Sequence, residues 1–295
     1  MPSLKEVRGR IQSVNSTQQI TKAMKMVSAA KLRRAQDNIT KIRPYSEKLS
    51  GILRNVTESL DKEVENPYSS ERRFEKILIV AITSDRGLAG AFNSNVGKAV
   101  MININEKYSE QLKGGNVSIL TIGKKGDDYF RKRGLSVIST YCGIFSNLTF
   151  DNVRRAAEYA LDGFISKAFD KVELVYNEFK NVATQVVRVE PFLPLVPKLK
   201  EENGKKFAST DYIFEPSRAE IVRDLIPKSL KIQFYKALLE SNASEHGARM
   251  TAMDKATENA KDLLKELRLT YNRSRQASIT KEILEIVGGA EALKA

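Results

Sequence analysis

Two glycine-rich turns are the parts of this sequence that could do chemistry, because such turns after a strand can bind phosphate through backbone amides. The first, Ile122-Gly123-Lys124-Lys125-Gly126, has the Gly-Lys pair of a P-loop. The full pattern also needs glycine at position 118, which is Ser118, and serine or threonine at position 125, which is Lys125. The turn therefore does not predict a nucleotide site.

The second turn, Ser84 to Asn93, contains Gly87 and Gly90 but no G-x-G pair. It predicts a tight connection from a strand to a helix. The chain has one cysteine, Cys142, and one histidine, which excludes an internal disulfide and a histidine-rich metal site. We expect a buried or half-buried thiol, and no catalytic residue, cofactor or metal.

The whole chain has a net charge of +13, and this positive charge is concentrated at its N-terminal end. Residues 1–60 carry twelve basic and four acidic side chains, and no acidic residue lies between Glu6 and Asp37. A basic collar of this kind predicts an acidic partner, which could be nucleic acid, anionic lipid or acidic protein loops. The alternative is a solvated helix face, although such faces usually mix both signs.

The C-terminal part of the chain contains one very long segment, from Lys228 to Val287, with no proline and only one glycine. As one helix it would measure roughly 90 Å, far beyond the usual helix of about three turns. Its apolar and small residues step by three and four, which is the seam of a coiled coil. The seam residues are Met250, Met253, Thr257, Ala260, Leu264, Leu267 and Tyr271.

The predicted partner helix is at the other end of the chain, from Ser3 into the fifties. Its predicted seam is Leu4, Val7, Ile11, Val14, Gln18, Thr21, Met24 and Val27. Pairing would be antiparallel with a left-handed supercoil. We expect Pro44 to kink or interrupt the first helix and Pro227 to precede the uninterrupted part of the last. Two ordinary amphipathic helices on a globular domain are the alternative.

The middle of the chain changes to alternating strands and helices, which predicts an α/β domain with a mostly parallel sheet. Predicted strands are 76–83, 117–122 and 135–139, followed by a hairpin of 171–178 and 183–191. Predicted helices are 94–112, 127–133 and 150–168, the last capped by Asp151. The predicted domains are 1–60 with 217–295 as a shaft, 74–193 as the α/β domain, and 194–216 as a flexible loop.

Neither end of the chain predicts membrane insertion or export. No apolar run approaches the 18–20 residues that a transmembrane helix needs. The N-terminus has no apolar core of a signal peptide and enters heptads at once. We therefore expect no direct insertion into a membrane.

Three long motifs in order give a resemblance that covers nearly the whole chain. They are Arg10 to Arg33 (RIQSVNSTQQITKAMKMVSAAKLR), Ser84 to Gly90 (SDRGLAG), and the pair Ser244 to Met253 (SEHGARMTAM) and Tyr271 to Val287 (YNRSRQASITKEILEIV). The sequence resembles the γ subunit of the bacterial F-type ATP synthase. It departs from that family at Ala89, where cysteine is frequent. It also lacks the two-cysteine redox segment of chloroplast members.

The resemblance implies a non-catalytic central-stalk rotor, with a coiled coil inside an α3β3 hexamer and a Rossmann-like α/β domain near the ε subunit and the c-ring. It implies one copy per complex, peripheral on the cytoplasmic face of the bacterial plasma membrane, and no nucleic acid. The implied contacts with the β subunit are Met24, Lys25, Lys31, Arg33, Arg34, Arg275 and Gln276. The implied contacts with ε and the c-ring are Tyr212 and Glu215.

Two other classes remain open from the residues alone. A basic coiled-coil protein that binds nucleic acid would explain the charge, and its binding would weaken steeply with salt. An α/β nucleotide enzyme would explain the middle of the chain, but neither the two long helices nor the incomplete P-loop pattern. Copurification with ATPase subunits would distinguish these classes.

Overall fold

The computed structural model describes residues 3–58, 67–69, 72–195 and 218–292. Contacts divide the chain into two units, one made of the residues up to Ala29 and from Arg249 onward, the other of Ala30–Ala248. No helix in the described ranges is both long and apolar enough to cross a membrane. The helices are α1 Leu4–Glu58, α2 Phe92–Lys107, α3 Ser109–Lys113, α4 Lys124–Arg131, α5 Phe150–Ile165 and α6 Arg218–Ala292, with a short 3₁₀ turn at Ile144–Ser146. The strands are β1 Ile77–Ile82, β2 Val117–Ile122, β3 Ser136–Tyr141, β4 Lys171–Phe179 and β5 Gln185–Leu193.

The larger unit is built on a five-stranded sheet with the order β3-β2-β1-β4-β5. The first four strands in this order are parallel, and β5 returns antiparallel to β4 as a hairpin. Every residue of the central strand β1 is buried, as expected for a parallel strand covered on both faces. The predicted α/β fold with a mostly parallel sheet is confirmed.

Alternate residues of β1 point into two different cores, because successive side chains of a strand face opposite ways. Leu78, Val80 and Ile82 pack with α5 and with the 226–238 segment of α6. The intervening residues, from Ile77 to Ala81, pack with α2 and α4. The long helix α6 therefore begins as part of the fold of this unit, and its apolar side chains there are core residues.

Several details differ from the sequence prediction. Pro44 and Pro227 both lie inside continuous helices. Asp151 was predicted to cap α5, but the cap is Thr149, whose side chain accepts a hydrogen bond from the backbone of Asn152. The reason is positional: α5 begins at Phe150, so Asp151 is already in its first turn.

The smaller unit consists of the first part of α1 and the last part of α6. Along α1 the buried and half-buried positions up to Ala29 are Leu4, Val7, Ile11, Val14, Gln18, Thr21, Met24, Lys25 and Ser28. The predicted seam was wrong at its end, because Val27 is 56% exposed whereas Ser28 is 3% exposed. The repeat continues from Thr21 through Lys25 to Ser28, and apolar Met24 is half-buried beside it. On α6 the predicted row from Met253 to Tyr271 is buried or half-buried.

Candidate functional site

Two polar contacts set the register of α1 against α6 in the smaller unit. The hydroxyl oxygens of Thr21 and Thr257 are 2.8 Å apart, and Lys25 Nζ lies 2.5 Å from Asp254 Oδ1. Moving back along α1 corresponds to moving forward along α6, so the helices are antiparallel. Extending this register places Leu4 near position 274 or 275 of α6.

The last part of α6, from Arg275 to Ala292, therefore extends beyond the described start of α1. We call it the tip segment; it is roughly 27 Å long at about 1.5 Å per residue. Tyr271 and Ser274 are the last half-buried residues before it, and within it every residue whose side chain is described is exposed. Five large apolar side chains are among these exposed residues: Ile279, Ile283, Leu284, Ile286 and Val287.

Arg275 and Gln276 lie at the start of the tip segment, and both are exposed. Ile279 and Ile283 follow Arg275 by four and eight residues, so they lie on or close to its face of the helix. Both isoleucines are about half exposed. Contiguous apolar surface of this kind on a folded protein indicates a binding surface. The tip segment thus combines a guanidinium group with an apolar stripe that no described residue covers.

The other predicted contact residues lie on α1. In the smaller unit Met24 is half-buried, and the Lys25 ammonium group is bonded to Asp254 rather than projecting alone. In the larger unit Lys31, Arg33 and Arg34 are all exposed. A helix advances 100° per residue, so Lys31 and Arg34 lie only about 60° apart on one side, whereas Arg33 lies about 100° from Arg34 and about 160° from Lys31. The basic collar therefore does not form a single patch on one face.

Tyr212 and Glu215, predicted to contact ε and the c-ring, lie outside the described residues, as does most of the predicted loop 194–216. The described part of this loop ends at Leu195, whose backbone amide donates to the carbonyl of Tyr68 at 2.8 Å. The contact roles of Tyr212 and Glu215 remain predictions.

The P-loop-like turn is a packing joint between β1 and α4. The amides of Lys124, Lys125 and Gly126 donate to Asp85 Oδ1, the carbonyl of Ser84 and Thr83 Oγ1, at 3.2, 3.1 and 2.8 Å. These amides are the ones that would cradle a phosphate group in a P-loop. Because the turn after β1 already binds them, the backbone has no free donors to offer an anion there.

Cys142 follows β3 and is exposed, so the prediction of a buried or half-buried thiol was wrong. The physical reason is that β3 is an edge strand and the chain leaves the sheet at Tyr141. Partial desolvation, together with the negative charges of Asp85 and Asp127, raises the pKa of the thiol. A raised pKa leaves less thiolate at neutral pH, which is the reverse of a reactive cysteine.

Glu173 in β4 is a carboxylate buried in the sheet core, with only 3% of the residue exposed. It accepts hydrogen bonds from Asn103 Nδ2 and from Tyr108 Oη, both at 2.6 Å, and pairs with Lys171 at 3.3 Å. Burial of Tyr108 and the hydrogen bond from its hydroxyl to Glu173 raise the pKa of this hydroxyl. All of these partners are internal and satisfied, so the cluster stabilises the fold. Across the described ranges no cluster of acidic, histidine or cysteine side chains could hold a metal ion.

Comparison with known proteins gives a consistent match along the chain. The sequence model of the ATP synthase family matches residues 3–293. The ATP synthase gamma chain of Cytophaga hutchinsonii is 64% identical over 293 residues, which is 99% of both chains. The gamma chain of Flavobacterium psychrophilum is 54% identical over 294 residues and the whole of both chains.

Solved structures match the same architecture. A chain in a structure of the central stalk and c-ring of the Tetrahymena thermophila mitochondrial ATP synthase has a TM-score of 0.59 at 25% identity, covering 80% of this chain and 99% of that one. A chain of the Euglena gracilis mitochondrial ATP synthase, in an assembly of F1 and the c-ring, has a TM-score of 0.68 at 21% identity. The match covers 98% of this chain and 94% of the Euglena chain, and at 21% identity it shows only a shared fold.

Proposed function

The chain belongs to the ATP synthase gamma-chain family, and from that membership we propose that it is the central-stalk rotor of a bacterial F1Fo ATP synthase. It couples proton-driven rotation of the c-ring to ATP synthesis and hydrolysis at the catalytic sites of an α3β3 hexamer. The observation that carries this proposal is the tip segment of α6, a single exposed helix with an apolar stripe. Such a stripe needs an enclosing partner, and a ring of subunits would supply one.

An asymmetric shaft explains how a subunit without bond chemistry can drive catalysis. Arg275 and Ile279 lie on one side of the tip segment, so its sides differ in charge and in apolar area. As the shaft turns, each β subunit meets these sides in succession. A shaft that contacts the conformations of a catalytic site unequally shifts their populations, and only that inequality can change the affinity for ATP.

The surfaces of the chain divide among these partners. We assign Arg275 and Gln276, together with Met24, Lys25, Lys31, Arg33 and Arg34, to contacts with β subunits. We assign Tyr212 and Glu215 to contacts with ε and the c-ring. The shaft would comprise 1–60 and 217–295, the α/β domain 74–193 and the connecting loop 194–216. The exposure of Arg275, Gln276 and the three basic residues from Lys31 to Arg34 supports their assignment.

Under the same proposal, the protein lies at the membrane surface and does not enter the membrane. It is a peripheral part of the complex, and we assign it to the cytoplasmic face of the bacterial plasma membrane through the c-ring. One copy serves each complex, and we propose that the chain itself catalyses no reaction.

Affinity purification from native membranes tests this function. A tagged chain should copurify with α, β, ε and c subunits, with one copy for three copies each of α and β. The purified complex should hydrolyse ATP and pump protons, whereas the isolated chain should hydrolyse none. ATP turnover by the chain free of α and β would contradict the proposed rotor role, and so would its absence from the ATPase complex.

A further inference from the structure

Arg43 of α1 and Glu240 of α6 form an ion pair at the end of strand β4. Two nitrogens of the guanidinium group, Nε and Nη2, lie 3.0 and 2.8 Å from Glu240 Oε1. The Glu240 side chain is only 4% exposed, whereas that of Arg43 is 45% exposed. The carboxylate therefore sits inside the protein, and the arginine reaches it from the surface.

Both members of this pair also hold the backbone of Phe179, the last residue of β4. The Phe179 amide donates to Glu240 Oε2 at 3.2 Å, and Arg43 Nη2 donates to the Phe179 carbonyl at 3.4 Å. One turn further along α6, Ser244 Oγ donates to the carbonyl of Asn177 at 3.0 Å. Three elements that are distant in sequence, α1, β4 and α6, are thus joined by directional bonds at one point.

This joint differs in kind from the apolar core around it. Apolar contacts are non-directional, so packed surfaces resist separation more strongly than they resist sliding. Hydrogen bonds to charged groups have defined lengths and angles, and a two-nitrogen contact to a carboxylate also fixes orientation. A buried carboxylate that loses its partner is strongly disfavoured, so the pair has little freedom to rearrange.

We propose that Arg43 and Glu240 are positioning residues that fix the rotational setting of the two long helices on the sheet, so that torque passes through this joint. The proposal rests on the rotor function described above. In that function the α/β domain receives rotation from the c-ring and the helices deliver it to the hexamer. Slippage at the joint would let ATP hydrolysis continue while less of its work reaches the proton path.

The test is Arg43→Gln in the complete membrane complex, with two rates measured on the same vesicles. ATP hydrolysis is measured with a protonophore present, and ATP-driven proton pumping is measured without it. We expect hydrolysis to be retained and the ratio of pumping to hydrolysis to fall about twofold or more, the size of effect that residues in a coupling network produce. Arg43→Lys keeps the charge but loses the two-nitrogen contact, so its ratio should lie between those of Arg43→Gln and the wild type.

Arg188→Gln is the matched control. Arg188 pairs with Glu178 at 2.8 Å and is 52% exposed, but this ion pair lies within the β4–β5 hairpin and joins neither long helix. It should keep the wild-type ratio. A wild-type ratio in Arg43→Gln, or an equal loss in Arg188→Gln, would overturn the proposal. If Arg43→Gln does not assemble, the pumping-to-hydrolysis ratio of Arg43→Lys decides: a lowered ratio supports the proposal and a wild-type ratio overturns it. A wild-type complex that fails to pump protons would instead contradict the rotor function itself.

Discussion

Thr21 and Thr257 face each other across the antiparallel helices, with 2.8 Å between their hydroxyl oxygens. Each hydroxyl also lies within hydrogen-bonding distance of a carbonyl one turn back, that of Gln18 at 3.0 Å and that of Met253 at 2.7 Å. Together with the neighbouring ion pair, this contact makes one stretch of the seam polar. Polar groups inside a coiled-coil seam lower its stability but favour one register, because a shifted register would leave them unpaired.

The first prediction compares two adjacent residues of this stretch, Val27 and Ser28. Ser28→Glu would force a large charged side chain into a position that is only 3% exposed, so we expect a loss of about 3 kcal/mol or more in the free energy of unfolding. Val27→Glu changes an exposed side chain and should cost less than about 0.5 kcal/mol. Urea unfolding of the purified chain, followed by circular dichroism, measures both. A larger loss in Val27→Glu would contradict the observed seam.

The seam illustrates what a single sequence can predict here. Its period was readable because Leu4, Val7, Ile11 and Val14 are apolar at strict spacing. The prediction is wrong at Val27 because it chose the apolar residue, whereas the repeat continues through Lys25 and Ser28. The spacing carried the prediction correctly through polar Gln18 and Thr21, but Lys25 gives no such signal beside apolar Met24, and its partner Asp254 is 229 residues away.

The second prediction concerns Gly123, at the turn between β2 and α4. Its φ is +97°, and a Cβ atom added there would lie 2.2 Å from the carbonyl oxygen of Thr83. Gly123→Ala should therefore lower the free energy of unfolding by at least about 3 kcal/mol, since backbone strain and a backbone clash act together. Gly134→Ala is the control, because Gly134 has φ of +73° but no atom near the added Cβ.

The control separates strain from the clash. Gly134→Ala should cost about 1–2 kcal/mol, the usual penalty for a side chain in a left-handed conformation. Chemical denaturation of both variants gives the comparison. Equal losses in the two variants would mean that the joint around Thr83 gives way easily, contrary to its network of bonded amides.

The third prediction follows from the raised pKa of Cys142. At pH 7 the folded chain should react with iodoacetamide more slowly than the urea-unfolded chain, because less of the thiol is ionised. The rate should rise with pH and approach its maximum only above the usual thiol pKa. Added salt should raise the rate of the folded chain at pH 7 only part of the way toward that of the unfolded chain. Salt screens the charges of Asp85 and Asp127 but does not remove the desolvation of the thiol. Faster reaction in the folded chain would contradict the raised pKa.

The chain's interior joints were beyond the reach of sequence reasoning, whereas its strands were not. The run from Lys76 to Thr83 predicted β1 because a strand buried on both faces is apolar throughout. The pair Arg43 and Glu240 gives no local signal, since 197 residues separate its members and both types are common on helix surfaces. The sequence placed Ile279 and Ile283 near the face of Arg275 by their spacing, but the exposure of the tip segment follows only from where α1 begins beside α6.

The last prediction is that Arg275→Leu lowers both ATP hydrolysis and ATP synthesis by the assembled complex. Arg275 is exposed in the chain, next to the apolar stripe that begins with Ile279. Inside the hexamer its guanidinium group would lose water and meet a carboxylate through two parallel hydrogen bonds. Removing one partner of such a desolvated pair costs roughly 2–5 kcal/mol, far more than the loss of a solvated surface arginine.

Arg273→Leu is the matched control for this experiment. Arg273 is also exposed, but it lies two residues earlier and therefore about 200° around the helix from Arg275. Both variants should assemble, because the seam ends near Ser274 and needs no charge at either position. Steady-state hydrolysis and proton-driven synthesis are measured on purified complexes in vesicles. If Arg275→Leu keeps wild-type rates in both directions, its guanidinium group does not hold a β subunit, and the assignment of Arg275 is wrong.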